Sequence, residues 1–351
     1  MSNQIKTLII TVLVCVSLCA CNVISDKPDQ NSGSGSAATS EPESAVSEAS
    51  EVSEISEITE DEPSRPVWEK LDIVVLGDSI ARGYGLKNVE SQRYSALLGE
   101  KLKDIANEVE IVNFGIDGQT GAELSEKLKT DPYPELASAD KVIISIGGNN
   151  ILGGLPQLVS GAFKFDGDLM TAFSDYVKYL FGTGDGDRSR YEYSVGVIND
   201  AFVAANSVFE SAEFEKLISE AAEKLKKELP EIIGSIRELN PEADIYVQTI
   251  YNPYRNVGIS LKYVETPLDL DSHGEKAVAG LNAVITSLCD SLGYSVVPVH
   301  DAFDSSDDKL TNAGIELLSG STPLNFGVDP HPNAAGHKVI AGLIYDMIRG
   351  E

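Results

Sequence analysis

From Val67 to the C-terminus, short apolar runs alternate with longer stretches whose apolar residues recur every three to four positions. Runs such as Ile73-Val-Val-Leu76 read as strands buried on both faces, and the longer stretches as amphipathic helices. The pattern predicts strands over Asp72–Leu76, Glu110–Phe114, Lys141–Ile146, Asp244–Thr249 and Ser295–Val299. It predicts helices over Glu90–Ala106, Gly121–Lys129, Lys216–Leu239, Glu275–Leu292 and Asn333–Arg349. Strands separated by helices form right-handed βαβ units. The expected fold is therefore α/β: a five-stranded parallel sheet in a three-layer α/β/α sandwich of the flavodoxin-like kind.

One connection breaks this rhythm. Nearly a hundred residues separate Ile146 from Asp244, where such links normally need few. Glu192–Leu229 reads as helical throughout, and Gly182-Thr-Gly-Asp-Gly-Asp187 as a flexible joint. The joint lacks the lysine and the preceding strand of a phosphate loop. Ahead of it come Phe163, Phe165, Phe173, Tyr176, Tyr179 and Phe181. The segment, about 151–230, is read as a helical insertion beside the active edge, either a lid or substrate wall or an extra packing layer.

The pattern before Val67 is different. Lys6 precedes an apolar run from Leu8 to Leu18, too short for a comfortable membrane span, followed by Cys19-Ala-Cys21. This describes an export signal. The ending Leu18-Cys-Ala-Cys21 resembles the bacterial lipobox, in which the chain is cut before the cysteine and the cysteine carries lipid. That resemblance implies a signal peptide over 1–20, Cys21 as the lipidated first mature residue, and attachment to the outer face of the bacterial cytoplasmic membrane. A plain signal peptide or a single membrane-spanning helix are the alternatives. Residues 21–66, rich in Ser, Glu, Gly, Pro and Ala, bury too little surface to fold and read as a disordered tether. The folded domain is expected over 67–351.

Composition narrows the functions. The 351-residue chain is 42% hydrophobic, enough for a large core, and carries a formal net charge of -28. That charge argues against nucleic acid as a partner. After removal of a signal only Cys21 and Cys289 remain, and Cys289 has the helical apolar surroundings of a packed thiol. Neither a disulfide framework nor a cysteine zinc site can be built from them.

Candidate chemistry gathers where the strands end. The first breaks into Gly77-Asp78-Ser79, which points a serine hydroxyl out of the C-terminal edge, the edge at which open α/β sheets bind ligands. Asn113-Phe-Gly115-Ile-Asp-Gly118 follows the second strand, its glycines allowing close backbone approach. Gly147-Gly-Asn149-Asn150 follows the third, offering a side-chain amide that can donate to an oxyanion. His331 sits between two prolines before the last helix, a rigid placement for a base. Taken singly, these are turn glycines, helix caps and a loop histidine; together they line one edge in one order. His273 in a polar loop, His300 at the end of the fifth strand and His337 on the last helix are rival bases.

That order resembles the SGNH (GDSL-type) hydrolase family, from about Lys70 to the end apart from the insertion. Gly77-Asp78-Ser79, Asn113-x-Gly115-x-x-Gly118, Gly147-Gly148-Asn149 and His331-Pro332 stand for its four blocks. The resemblance implies the sandwich already inferred and ester hydrolysis with neither metal nor cofactor. It makes Ser79 the nucleophile, His331 the base, and the amides of Ser79 and Gly118 with the Asn149 side chain the oxyanion hole. Asp78 braces the turn. The family's acid stands three residues before its histidine; here that position is Val328, and the available acid is Asp329, two before. Either Asp329 orients His331 by another loop path or a backbone carbonyl does. Asn150 replaces the Asp common after the catalytic Asn. The expectation is an exported, lipid-anchored serine esterase acting on an acetylated carbohydrate, a short-chain acyl ester or a lysophospholipid. The alternative is a non-catalytic carbohydrate-binding or adhesion lipoprotein on the same fold. A transporter's solute-binding lipoprotein would need two comparable lobes, and one set of strands is present.

Overall fold

The computed structural model describes residues 68–162, 167–317, 324–327 and 329–350. The signal segment, Cys21, the tether to Pro66, and Phe163 and Phe165 of the insertion lie outside the described residues. No helix of the described residues is long and apolar enough to cross a membrane.

Five strands, β1 (Trp68–Gly77), β2 (Ala106–Asn113), β3 (Lys141–Ser145), β4 (Asp244–Gln248) and β5 (Ser295–Val297), form one sheet in the order β2-β1-β3-β4-β5. All four pairings are parallel. This is the doubly wound order in which the strand sequence reverses beside β1, so a crevice opens at that strand's C-terminal end. Side chains alternate across the sheet as a two-residue period requires. Leu71, Ile73 and Val75 of β1, Ile143 of β3 and Tyr246 of β4 enter one core cluster. Val74, Leu76, Val142, Ile144, Ile245 and Val247 enter the other.

Ten helices matter to the layers: α1 (Ser79–Arg82), α2 (Tyr94–Leu102), α3 (Gly121–Thr130), α4 (Leu155–Ala162), α5 (Leu169–Leu180), α6 (Arg188–Phe209), α7 (Ala212–Leu239), α8 (Leu270–Leu292), α9 (Val299–Asp304) and α10 (Ala334–Arg349). α2 and α10 cover one face through Tyr94, Leu98, Ile340 and Ile344. α3, α7 and α8 cover the other through Leu124, Leu225, Leu229 and Leu281. The expected three-layer sandwich is present.

Three expectations change at the edges. The helix expected over Glu90–Ala106 breaks at Arg93, whose backbone is extended, and Ala106 already belongs to β2, paired with Trp68. The stretch read as helical throughout, Glu192–Leu229, is divided between two helices, the second being the one expected over Lys216–Leu239. Ser211 stops the first and caps the second by accepting from Phe214 N. The second, α7, runs through Pro230 and packs on the sheet, so it belongs to the sandwich layer rather than to the insertion. Cys289, as expected, packs against the core that α3, α7 and α8 cover; it is half-buried, and its Sγ donates to Thr286 O.

The remaining insertion has its own core. Leu155, Val159, Tyr176, Tyr191, Ile198 and Phe202 of α4, α5 and α6 cluster together with Tyr254, Val264 and Leu268 from the chain after β4. The aromatics split between two environments: Tyr176 is buried with its hydroxyl on Lys262 O, whereas Phe181 is 73% exposed.

Candidate active site

The site begins at the end of β1. Gly77 has φ +137, and a Cβ there would lie 2.0 Å from Ser145 O of neighbouring β3, so only glycine fits. Asp78 N donates to that same Ser145 oxygen at 3.1 Å. Asp78 Oδ1 accepts from Ile80 N at 2.9 Å and caps α1, a single turn that Gly83 closes in the left-handed region. Ser79 therefore starts a helix at the mouth of the sheet, 9% exposed.

β2 supplies the adjoining loop. Asn113 Oδ1 accepts from Gly115 N, and its Nδ2 donates to Ala81 O and Ser95 Oγ at 2.7 and 2.8 Å. A Cβ on Gly115 would lie 2.5 Å from Arg82 N, so glycine lets this loop press against α1. Ile116 N donates to Gly77 O, which ties the loop to the Gly77-Asp78-Ser79 turn. Beyond β3, Asn149 is buried, and its Nδ2 donates to Gln119 O at 3.0 Å. Asn150 turns away, donating to Glu228 of α7. Gly118, Ser79 and Asn149 thus stand beyond the ends of three adjacent strands, β2, β1 and β3. Among the described residues, no acceptor takes the N–H of Ser79 or Gly118.

His331 arrives from the far end of the chain, ahead of α10. Its Nε2 lies 2.8 Å from Ser79 Oγ, and its Nδ1 lies 2.5 Å from Asp329 Oδ1. The carboxylate two residues back therefore reaches the ring, and no backbone carbonyl is needed in its place. Asp329 Oδ1 also accepts from His331 N at 3.1 Å, an Asx turn that folds the carboxylate under its own i+2 side chain. Pro330 sets the intervening backbone, and Tyr251 donates its hydroxyl to Pro330 O at 2.8 Å. Asn312 Nδ2 holds the other carboxylate oxygen at 3.0 Å. Burial pushes the Asp329 carboxyl up, but the hydrogen bonds and charge of His331, with Asn312, outweigh it and hold the group below the usual carboxylate range. Tyr84 packs over the imidazole, ring centroids 4.6 Å apart. Asn312, Tyr251 and Tyr84 carry no motif and come from separate loops; only Tyr84, five residues after Ser79, has a positional hint.

The rival histidines are engaged elsewhere. His273 lies in the first turn of α8, not in a loop, with Nε2 on Asn206 and its ring against Phe209. His300 lies in α9, because β5 ends at Val297, and its ring bridges Glu275 and Asp301. His337 is buried in α10, where Nδ1 accepts from Tyr94 N. Burial, with a smaller push from His331, pulls His337 down to about 4. Unfolded, a histidine titrates near 6.5, so between those values the unfolded chain binds the extra proton and the folded one does not. Stability from this group is complete above about pH 6.5 and is lost as pH falls toward 4. His337→Asn keeps an acceptor for Tyr94 N, so its urea midpoint should fall less between pH 7 and 4 than the wild type's. Parallel curves would contradict this. Among the described residues, no group of three or more His, Cys, Asp or Glu is arranged to hold a metal ion.

The arrangement of hydroxyl, imidazole and carboxylate can activate an oxygen nucleophile without outside help. A family model described as the GDSL-like Lipase/Acylhydrolase family matches residues 75–339, about three quarters of the chain and all of the blocks above. The chain belongs to this family. It is a carboxylic ester hydrolase. Among its relatives is the Bacillus subtilis (strain 168) protein YpmR, itself uncharacterized, 22% identical over 287 residues that make up 81% of this chain and 83% of that one. Similar solved structures include the lipase Lip_vut3 from a goat rumen metagenome, at 16% identity and TM-score 0.47, covering 80% of this chain and 97% of that one. Phospholipase A1 from Streptomyces albidoflavus NA297 is similar at 17% identity and TM-score 0.44, covering 81% and 100%. The acetyl xylan esterase Axe2 from Geobacillus stearothermophilus is similar at 16% identity and TM-score 0.42, covering 81% and 96%.

Proposed function

We propose that this GDSL-like hydrolase is an exported, lipid-anchored serine esterase in which Ser79, His331 and Asp329 form the catalytic triad. The observation that carries the reading is the unbroken relay from Asp329 Oδ1 through His331 to Ser79 Oγ, at 2.5 and 2.8 Å. His331 Nε2 takes the Ser79 proton as Oγ attacks the ester carbonyl carbon. The amides of Ser79 and Gly118 and the Asn149 side chain receive the charge that develops on the carbonyl oxygen. As the C–O bond breaks, His331 returns the proton to the leaving alkoxide, leaving an acyl group on Ser79. Water, deprotonated by the same imidazole, then releases the acid and regenerates the hydroxyl. Asp329 holds the imidazole in the tautomer that leaves Nε2 free to accept.

The substrate is an ester outside the cell: an acetylated carbohydrate, a short-chain acyl ester or a lysophospholipid. A series of p-nitrophenyl esters from acetate to octanoate, tested with the full chain, separates the two short-acyl classes from the lysophospholipid. An optimum at acetate points to a small acyl pocket, and one at octanoate to a lipid groove. No turnover of any ester by folded protein would oppose the reading. Export and anchoring rest on Lys6, the apolar run to Leu18, and Cys21. Cys21→Ser should move the protein from the membrane fraction to the medium or periplasm of an expressing bacterium, and unchanged partition would remove the lipid anchor.

A further inference from the structure

Asp78 is a buried carboxyl, 3% exposed, that the triad does not use. Capping Ile80 N needs one oxygen, and a serine, threonine or asparagine would serve as well. Burial pushes the Asp78 carboxyl up to about 7, against the pull of the Ile80 N–H and His331. A costly acid standing where a neutral cap would do directs attention to its second oxygen. Oδ2 faces Asn149 Nδ2 at 3.5 Å. That nitrogen already donates to Gln119 O at 3.0 Å.

An asparagine side chain has an amide end and a carbonyl end of nearly the same shape, and its neighbours decide which end points where. Two acceptors flank this nitrogen. Turned over, Asn149 would set its own oxygen against both Gln119 O and Asp78 Oδ2. The contact with Asp78 is long, so it orients the amide without using up its second hydrogen. We propose that Asp78 is a positioning residue: with Gln119 O, its Oδ2 fixes the Asn149 side chain with its nitrogen toward the nucleophile turn, so that the amide is set before substrate arrives. The inference rests on the proposed role of Asn149 in stabilising the oxyanion.

A double-mutant cycle tests it, with turnover of p-nitrophenyl acetate measured by the full chain and, where slow, with enzyme in excess over ester. Asp78→Asn keeps an oxygen for Ile80 N and turns an NH₂ against Asn149 Nδ2. It should lower kcat by roughly 10- to 100-fold with KM changed less than about twofold. Asn149→Ala should lower kcat by on the order of 10²–10³. In the Asn149→Ala background, Asp78→Asn should cost less than about threefold, because no amide is left to orient. An equal loss in both backgrounds would make Asp78 a brace of the turn alone, and no loss in the wild-type background would overturn the proposal as well. Should Asp78→Asn fail to fold, Asp78→Ser caps the helix without Oδ2 and completes the same cycle. Rates are taken above those of Ser79→Ala. If Ser79→Ala matched the wild type, the triad reading would fail instead.

Discussion

Ser79→Ala should lower kcat for ester hydrolysis by about 10⁶-fold, with the fold intact. In the proposed mechanism the hydroxyl is the atom that forms the acyl bond, and among the described residues no other hydroxyl is bonded to the His331 ring. Its hydrogen-bond partner is His331 Nε2, while the cap of α1 comes from Asp78. Removing the hydroxyl therefore leaves the turn's own scaffold in place: Gly77 against Ser145, the Asp78 cap and the left-handed Gly83. The thermal midpoint should stay within a few degrees of the wild type's, as for a loss of about 1 kcal/mol or less. Amide donors and substrate binding remain, so a residual rate of on the order of 10³–10⁴ over water is expected. A variant retaining a tenth of wild-type turnover would place the nucleophile elsewhere.

Asp329→Asn should lower kcat by about 10⁴-fold. In the wild type both carboxylate oxygens accept: Oδ1 from His331 N and Nδ1, Oδ2 from Asn312 Nδ2. An asparagine has one oxygen for these two places. With Asn312 donating, that oxygen is drawn toward Asn312 and the new NH₂ faces Nδ1. The imidazole then carries its proton on Nε2, pointing at Ser79 Oγ, and cannot accept the serine proton. Asn312→Asp in the same chain supplies an acceptor for the new NH₂, turns the remaining amide oxygen back to His331, and should recover at least about tenfold of the loss. The kcat values of the single and double variants check both statements. A loss of less than threefold in Asp329→Asn would mean that His331 works as half of a dyad.

The sheet is legible because its strands are buried on both faces, and such strands announce themselves as apolar β-branched runs. All five appear at the predicted places, with ends that differ: β1 begins four residues early, at Trp68, β2 likewise, at Ala106, and β5 ends at Val297. The N-terminal half of β2, Ala106 to Val109, reads as helix end and loop because exposed Asn107 and Glu108 break its apolar run. The helix break at Glu210–Ser211 is written in Ser211-Ala-Glu-Phe214, a cap whose weight is small beside the apolar period on both sides. At the site, glycines and asparagines at strand ends mark Ser79, Gly118 and Asn149, and the flanking prolines mark His331, because tight turns and close backbone approach call for those residue types. Asp329 reaches His331 through an Asx turn, which spacing by itself does not reveal. Asn312, Tyr251 and Tyr84 are far apart in sequence and meet the Asp329–His331 turn only in the fold, where Thr311 bridges Pro332. His273 reads as a loop residue because α8 starts five residues before its apolar period, and His300 as a strand end because β5 stops two residues short.

Ser79 as the nucleophile, activated by His331, is tested most directly by reaction of the full chain with a fluorophosphonate, followed by mass spectrometry of the peptide containing Gly77-Asp-Ser79. The phosphorus–oxygen bond forms at Oγ as fluoride leaves. One adduct per chain is expected, located on Ser79, with labelling slowed by several orders of magnitude in His331→Ala. Folded protein that takes up no label, or carries it on another residue, would contradict it.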